Sequence, residues 1–271
     1  MLRRLSLLLA VSLLGCGGSH ETQTETPDTE ATSGREADAS ETEPAPPPPQ
    51  PANQARLIHA AVEASEQSVS LVFDGADASA ATRYEFAAPY LAITSGEHSV
   101  SARASDAELI GATLTFPEGP STLVAYSTSD FPVALLLLPD HTEGPTEGAA
   151  QIRFVHAMVG QAGVDVCQPG EGPRADGIPL LPGAQQGAAV PSTGYLEVGG
   201  GSELALQLRT QHSTPCHGRP LGIARFTPAA NNGYTLILVG RTGRHRLAPE
   251  LIFCADPPAS DTSCAAVPVV P

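Results

Sequence analysis

The 271-residue chain contains no tryptophan and no lysine, only two methionines, and just 4% aromatic residues. Sugar-binding platforms are often built on exposed aromatic rings, and few rings are available here. Every Lys/Arg-type cation is an arginine, 14 of them against 29 acidic residues, and the formal net charge is −15. Nucleic-acid binding requires clustered cations to meet the phosphates, so this balance argues against a nucleic-acid partner. No apolar run reaches the roughly 20 residues that span a bilayer. Also absent are a G-x-S-x-G elbow, an H-E-x-x-H helix, a P-loop and a dinucleotide fingerprint, so no local motif announces catalysis. No catalytic residue, cofactor or metal is expected.

The N-terminus reads MLRRLSLLLAVSLLGC. Arg3 and Arg4 form a positive leader, and an apolar stretch from Leu5 to Leu14 has the length of a secretory h-region rather than of a membrane span. The stretch ends in Leu13-Leu14-Gly15-Cys16 instead of an A-x-A-like cleavage site. This resembles the lipobox of bacterial lipoproteins. The resemblance implies a signal peptide over residues 1–15, acylation of Cys16, and membrane lipid as the anchor partner. Several acyl chains hold a protein stably where one holds it only marginally. Gly17, in place of an Asp, resembles the class sorted to the outer membrane, which implies the cell envelope of a Gram-negative bacterium.

Residues 16–54 carry the lipidated Cys and then a Thr-, Glu- and Pro-rich acidic segment ending in PAPPPPQPANQ. With almost no large apolar residue to bury, it is expected to be a disordered tether, stiffer at its Pro-rich end. Loss of Arg3 and Arg4 with the signal peptide takes the net charge from −15 to about −17. One local basic cluster, Arg241, Arg244, His245 and Arg246, reads as a solvated hairpin tip, with contact to an anionic headgroup or polysaccharide as the alternative.

Beyond Gln54 the chain repeats itself. Arg56-Leu57-Ile58-His59-Ala60 returns as Arg153-Phe154-Val155-His156-Ala157, and YLAITSGEHSVSARA from Tyr90 returns as YLEVGGGSELALQLRT from Tyr195. VALLLLPD, ending at Asp140, matches APELIFCAD, ending at Asp256. The second copy is longer, chiefly through an insertion from Gly170 to Gly187. Within each copy, short runs such as SVSLVF, TLVAYS and YTLILV are set apart by Gly, Pro, Asp and Asn, which is strand-and-turn chemistry. Asp74-Gly75 and Asn231-Asn232-Gly233 read as hairpin turns. The expected fold is all-β, two tandem immunoglobulin-like β-sandwich domains after the tether. The first spans residues 55–142 and the second 151–271, with a linker at 143–150.

The repeat unit resembles DUF4397, a domain of unknown function found in bacterial extracytoplasmic proteins. RFVHA with VDV shortly after it, then GYLEV, a glycine turn and LALQLR carry the resemblance. It covers most of residues 55–256 and is weaker in the first copy, where SVSLVFDG departs from the usual pattern. It implies tandem repeats, a sandwich fold and export, and it transfers no catalytic residue.

Five cysteines are an odd number, and Cys16 accounts for the fifth. Cys167, Cys216, Cys254 and Cys264 are an even set in the second copy, which in an exported chain reads as two disulfides. Of three connectivities, Cys167 with Cys216 and Cys254 with Cys264 is the expected one. A metal alternative at His212, Cys216 and His217 lacks zinc-site spacing. Calcium at Asp74 and Asp77, or at Asp140 and Glu143, is equally thin. His59 and His156, at equivalent positions, read as hydrogen-bonded structural histidines at a sandwich edge, and Tyr90 and Tyr195 as corner tyrosines.

These features point to a non-catalytic, lipid-anchored cell-envelope protein with a binding or structural role, its partner an envelope protein or a glycan. A carbohydrate- or cell-wall-binding module is the alternative. It would need tyrosines such as Tyr84, Tyr90 and Tyr126 exposed on one face. A hydrolase is more remote and would need His59 or His156 beside a nucleophile and a carboxylate.

Overall fold

The structure is a computed structural model that describes residues 53–271 except 106, 171–175, 243–246 and 258–262. The signal peptide, the Cys16 anchor and the tether up to residue 52 therefore lie outside the described residues, as do Arg244, His245 and Arg246, while Gln54, expected at the end of the tether, opens the first strand.

The first sandwich contains β1 (Gln54–Ala60), β2 (Val69–Phe73), β3 (Ala76–Asp77), β4 (Leu91–Ala92), β5 (Gly96–Ala104), β6 (Ala107–Phe116), β7 (Pro120–Tyr126) and β8 (Ala134–Pro139). The second contains β9 (Ala149–His156), β10 (Gly163–Gln168), β11 (Ile178–Gln185), β12 (Ala189–Val190), β13 (Leu196–Gly199), β14 (Leu204–Thr210), β15 (Pro220–Phe226), β16 (Gly233–Arg241), β17 (Leu247–Asp256) and β18 (Cys264–Pro268). A single 3₁₀ turn at Val62–Ala64 is the only helical element among the described residues.

In the first sandwich a sheet ordered β4-β1-β7-β8 faces one ordered β3-β2-β5-β6. The second repeats the plan: β9, β16 and β17 take the places of β1, β7 and β8, and β11-β10-β14-β15 matches the other sheet. In both, the first strand runs parallel to a strand from late in the same sandwich, β1 to β7 and β9 to β16, while the other strand pairs are antiparallel. The architecture is the two-sheet sandwich expected from the sequence, with its own connectivity. Immunoglobulin constant domains order their strands A-B-E-D and C-F-G, whereas here the first strand sits inside its sheet beside the seventh.

Local chemistry explains the turns. Asp74 and Gly75 join β2 to β3 as a two-residue loop, with φ of 50° and 82°. Positive φ at both central positions matches the right-handed twist of the flanking strands, which is why Asp-Gly occurs there.

Three apolar cores are stacked. One fills the first sandwich, around Leu57, Leu71, Val100 and Leu123. Another fills the second, around Phe154, Val166, Leu206 and Leu236. The third lies between the sandwiches and holds Ile58, Val124 and Leu138 from one with Val155, Ile237 and Ile252 from the other. Consequently β1, β7, β9 and β16 are buried on both faces. In β1 Leu57 turns into its own sandwich and Ile58 toward the neighbouring one, so period-2 alternation gives way to a nearly continuous buried run.

Candidate functional site

The densest polar cluster lies between the sandwiches and is built twice from equivalent residues. Arg56 on β1 is buried and bonds Asp256 at the end of β17, while Arg153 on β9 bonds Asp140, directly after β8. Each guanidinium thus reaches into the opposite sandwich. Arg56 also donates through Nη1 to the carbonyl of Ala255 at 2.6 Å, and Arg153 to that of Pro139 at 2.7 Å. At home, Arg56 Nε donates to Thr122 Oγ1 at 3.0 Å and Arg153 Nε to Thr235 Oγ1 at 2.8 Å.

The carboxylates are bonded in the same doubled way. Thr122 and Tyr90 donate to Asp140 Oδ2 at 2.9 and 2.6 Å. Thr235 and Tyr195 donate to Asp256 Oδ2 at 2.7 and 2.8 Å. The tyrosine rings lie beneath the guanidinium carbons, Arg56 at 5.0 Å from the centre of Tyr90 and Arg153 at 4.9 Å from that of Tyr195, within cation–π reach. Nη2 of Arg153 is also 3.9 Å from Asp256, which joins the two halves. Burial works against the charge on Arg153, but Asp256, Asp140 and Tyr195 outweigh it and its pKa is raised. Burial, added to the neighbouring carboxylates, pushes the phenols of Tyr90 and Tyr195 up. Two cations and two anions leave the cluster neutral, with its polar atoms turned on one another.

His59 and His156 are likewise engaged internally. Their Nδ1 atoms accept from the backbone N–H of Ala61 and Met158, both at 3.3 Å, which assigns the proton to Nε2. That N–H then donates to the carbonyl of Gln67 at 3.1 Å and of Gln161 at 2.7 Å, tying down the loop after each central strand. The hydrogen-bonded role read from the sequence is what the structure contains. Their place differs, since β1 and β9 are central strands and both rings are fully buried. Desolvation lowers both pKa values, that of His156 to about 4.

One further titratable pair bridges the sandwiches. Glu85, which precedes β4, hydrogen-bonds Glu250 of β17, and burial plus this like-charged neighbour raise its pKa to about 7. Its backbone N–H donates to the carbonyl of His59 at 2.8 Å, as that of Gly187 does to His156 at 2.7 Å, so the two positions are equivalent. Both take positive φ, 67° and 74°. Glycine suits position 187 both for its positive φ and because the Tyr126 hydroxyl lies where a Cβ would stand.

Cys167 bonds Cys216, and Cys254 bonds Cys264. Cys216 is therefore not a thiolate ligand, and its would-be partners are otherwise placed: His217 pairs with Asp176 at 3.2 Å, and His212 Nδ1 accepts from the Thr214 N–H at 3.2 Å. Of the calcium candidates, Asp140 is committed to Arg153, and Asp74 accepts from the Ser99 N–H at 2.9 Å and bonds His98. Asp165, within the VDV stretch, is buried and accepts from the N–H groups of Gly183 and Cys216, holding the inserted strand β11 and the disulfide loop together. Arg241 of the basic cluster pairs with Glu63 across the two sandwiches.

Tyr84, Tyr90 and Tyr126 do not form an exposed face. Tyr84 and Tyr126 pack on the core between the sandwiches and Tyr90 lies under Arg56. A cleft of about 370 Å³ at the rim of the second sandwich has an apolar lining of Met158, Leu221, Leu247 and Pro249 with Arg219 and Arg241 beside it. Sequence repetition singled out the histidines and tyrosines. It missed Arg56, Arg153, Asp140 and Asp256 as a set, although each sits in a quoted repeated stretch, because recurrence marks equivalence and not contact.

No curated protein matches the chain. Residues 53–167, which run through the first sandwich and on to β10 of the second, match the family model described as "Domain of unknown function (DUF4397)".

Proposed function

We propose that this is a non-catalytic, lipid-anchored protein of the cell envelope, held by acylated Cys16 on an acidic tether, and that its two sandwiches are copies of the matched domain with a binding or structural role. The observation that carries the reading is the disposition of its buried polar groups. Arg56, Arg153, Asp140, Asp256, His59 and His156 are spent on mutual or backbone bonds that hold the chain together. What remains for a partner is the outer surface and the sheet edges.

Two experiments test it. Metabolic labelling with an acyl analogue should mark the wild-type chain and fail on Cys16→Ser, with the variant released from the membrane fraction. Photo-crosslinkers placed on the sandwiches in the native envelope should trap a saturable partner; amine-reactive reagents would miss the side chains of a chain without lysine. A catalytic turnover abolished by one substitution within residues 53–271 would refute the non-catalytic reading.

A further inference from the structure

The two sandwiches share a strand plan but differ in how one pair of sheet edges is covered. In the second, the outer edge of β17 is covered by β18, antiparallel, from Glu250 opposite Pro268 to Cys254 opposite Cys264. The chain then crosses to the other sheet. Ile223 of β15 and Val270 exchange both backbone hydrogen bonds, at 2.8 and 3.0 Å, and Val269 between them is 5% exposed and fills the core. One extended segment thus closes both sheet edges.

The equivalents in the first sandwich, β8 and β6, end their sheets with no strand beyond them among the described residues. The β8 edge also carries no charged side chain, its one blunting residue being Pro139 at the end of the strand. Its sequence is Ala-Leu-Leu-Leu-Leu-Pro, without a charge, and Leu135, Leu136 and Leu137 are only half-buried. Ile110 and Leu114 of β6 are half-buried beside this core, and Phe131, just before β8, is 59% exposed. Sheet edges are ordinarily blunted by charges, bulges or covering segments, because unpaired N–H and C=O groups template strand addition.

Register identifies the free donors. The Asp140 N–H points inward to the carbonyl of Pro120, so two-residue periodicity turns the N–H groups of Leu137 and Leu135 outward. Their counterparts across the repeat are Phe253 and Leu251, which face β18.

We propose that the β8 edge is a docking site for an extended, uncharged segment of a partner protein, rich in small apolar residues as β18 is, which adds antiparallel to β8 as an outer strand. This is recognition by strand addition, with backbone bonds giving affinity and side-chain fit giving selectivity. The proposal names the site and partner class for the binding role proposed above and rests on that reading.

The test uses the full chain and a synthetic peptide with the sequence of residues 263–271 carrying Ser in place of Cys264, followed by residue-resolved hydrogen exchange. The expected result is exchange at Leu135 and Leu137 slowed at least ten-fold at saturating peptide, with β17 amides unchanged. The protection should be lost in Leu137→Pro, which removes an outward N–H and leaves the inward ladder in place. Thermal unfolding checks that this variant folds, and Phe131→Asp, at an exposed position, provides a second variant that should weaken binding. No protection at millimolar peptide, or protection indifferent to both variants, overturns the proposal. Concentration-dependent protection of β8 in the chain alone would make a second copy the occupant and overturn it too. A native partner that crosslinks elsewhere and leaves Leu135 and Leu137 unprotected would refute the site while leaving the binding role intact.

Discussion

Arg56 of the first sandwich bonds Asp256 of the second, 200 residues further along the chain, with the side chains 0% and 1% exposed. Arg153 and Asp140 repeat the bond in the opposite sense. A buried ion pair is weak evidence for net stabilisation, since desolvating two charges is expensive. Breaking one is a different matter, because it leaves a buried charge without its countercharge. Arg153→Met should lower stability by about 3–5 kcal/mol, whereas replacing Arg153 and Asp140 together by apolar residues of similar volume should recover much of that loss. Urea unfolding of the single and double variants checks it.

The core between the sandwiches predicts that they fail together. Ile237 is fully buried there and faces the first sandwich. Ile237→Ala should cost about 2–5 kcal/mol through lost burial and the cavity left behind. Hydrogen exchange should then quicken in β1 and β7 as well as in β16. Faster exchange confined to the second sandwich would mean that the interface contributes little.

Protonation of the histidines sets an acid limit. His156 has a folded pKa of about 4 because burial disfavours its charged form, and His59 is lowered for the same reason. The unfolded imidazole titrates near 6.5, so between those values the unfolded chain binds more protons and stability falls as pH falls. The His156 contribution is on the order of 3 kcal/mol, complete above about pH 6.5 and lost on approach to about pH 4. Urea midpoints at pH 7 and 4.5 should separate in the wild type and lie closer together in His156→Gln, a variant less stable at pH 7, with the His59 contribution remaining.

The Glu85–Glu250 pair has the opposite sign. A folded pKa of about 7, above the ordinary carboxylate value, means that the folded chain holds a proton the unfolded chain has released. Its contribution is present at low pH and is lost as pH rises from the ordinary carboxylate range through about 7. Glu85→Gln should therefore gain stability relative to wild type at pH 8 and show little difference at pH 4.5. A uniform shift at both pH values would contradict the shared proton.

How far the sequence could carry these conclusions depended on whether the deciding contacts were local. Asp74-Gly75 announced its turn because positive φ at two adjacent positions is a local demand. Strand content was legible from short β-rich runs between turn residues. The interface was harder to see. Strands such as Arg56–Ala60 carry apolar residues on both faces, which reads as imperfect alternation until a second sandwich is found on the outer face. An arginine in such a strand has no partner within reach in sequence, since Asp256 becomes its neighbour only when the two sandwiches are stacked. Among the described residues the first sandwich has no counterpart of β18, which in the sequence is only a tail beyond the repeated stretch ending at Asp256, and its meaning depends on knowing which edge β18 covers.

The Arg56–Asp256 bond ties β1 of one sandwich to the end of β17 of the other. A double-mutant cycle with Arg56→Met, Asp256→Leu and the combination, followed by urea unfolding of the full chain, measures the coupling between the two sandwiches directly. The prediction is a coupling of at least about 2 kcal/mol, each single variant costing more than the pair together warrants. Additive effects within about 0.5 kcal/mol would mean that the two residues act independently, and that the reciprocal bonds do not hold the sandwiches together.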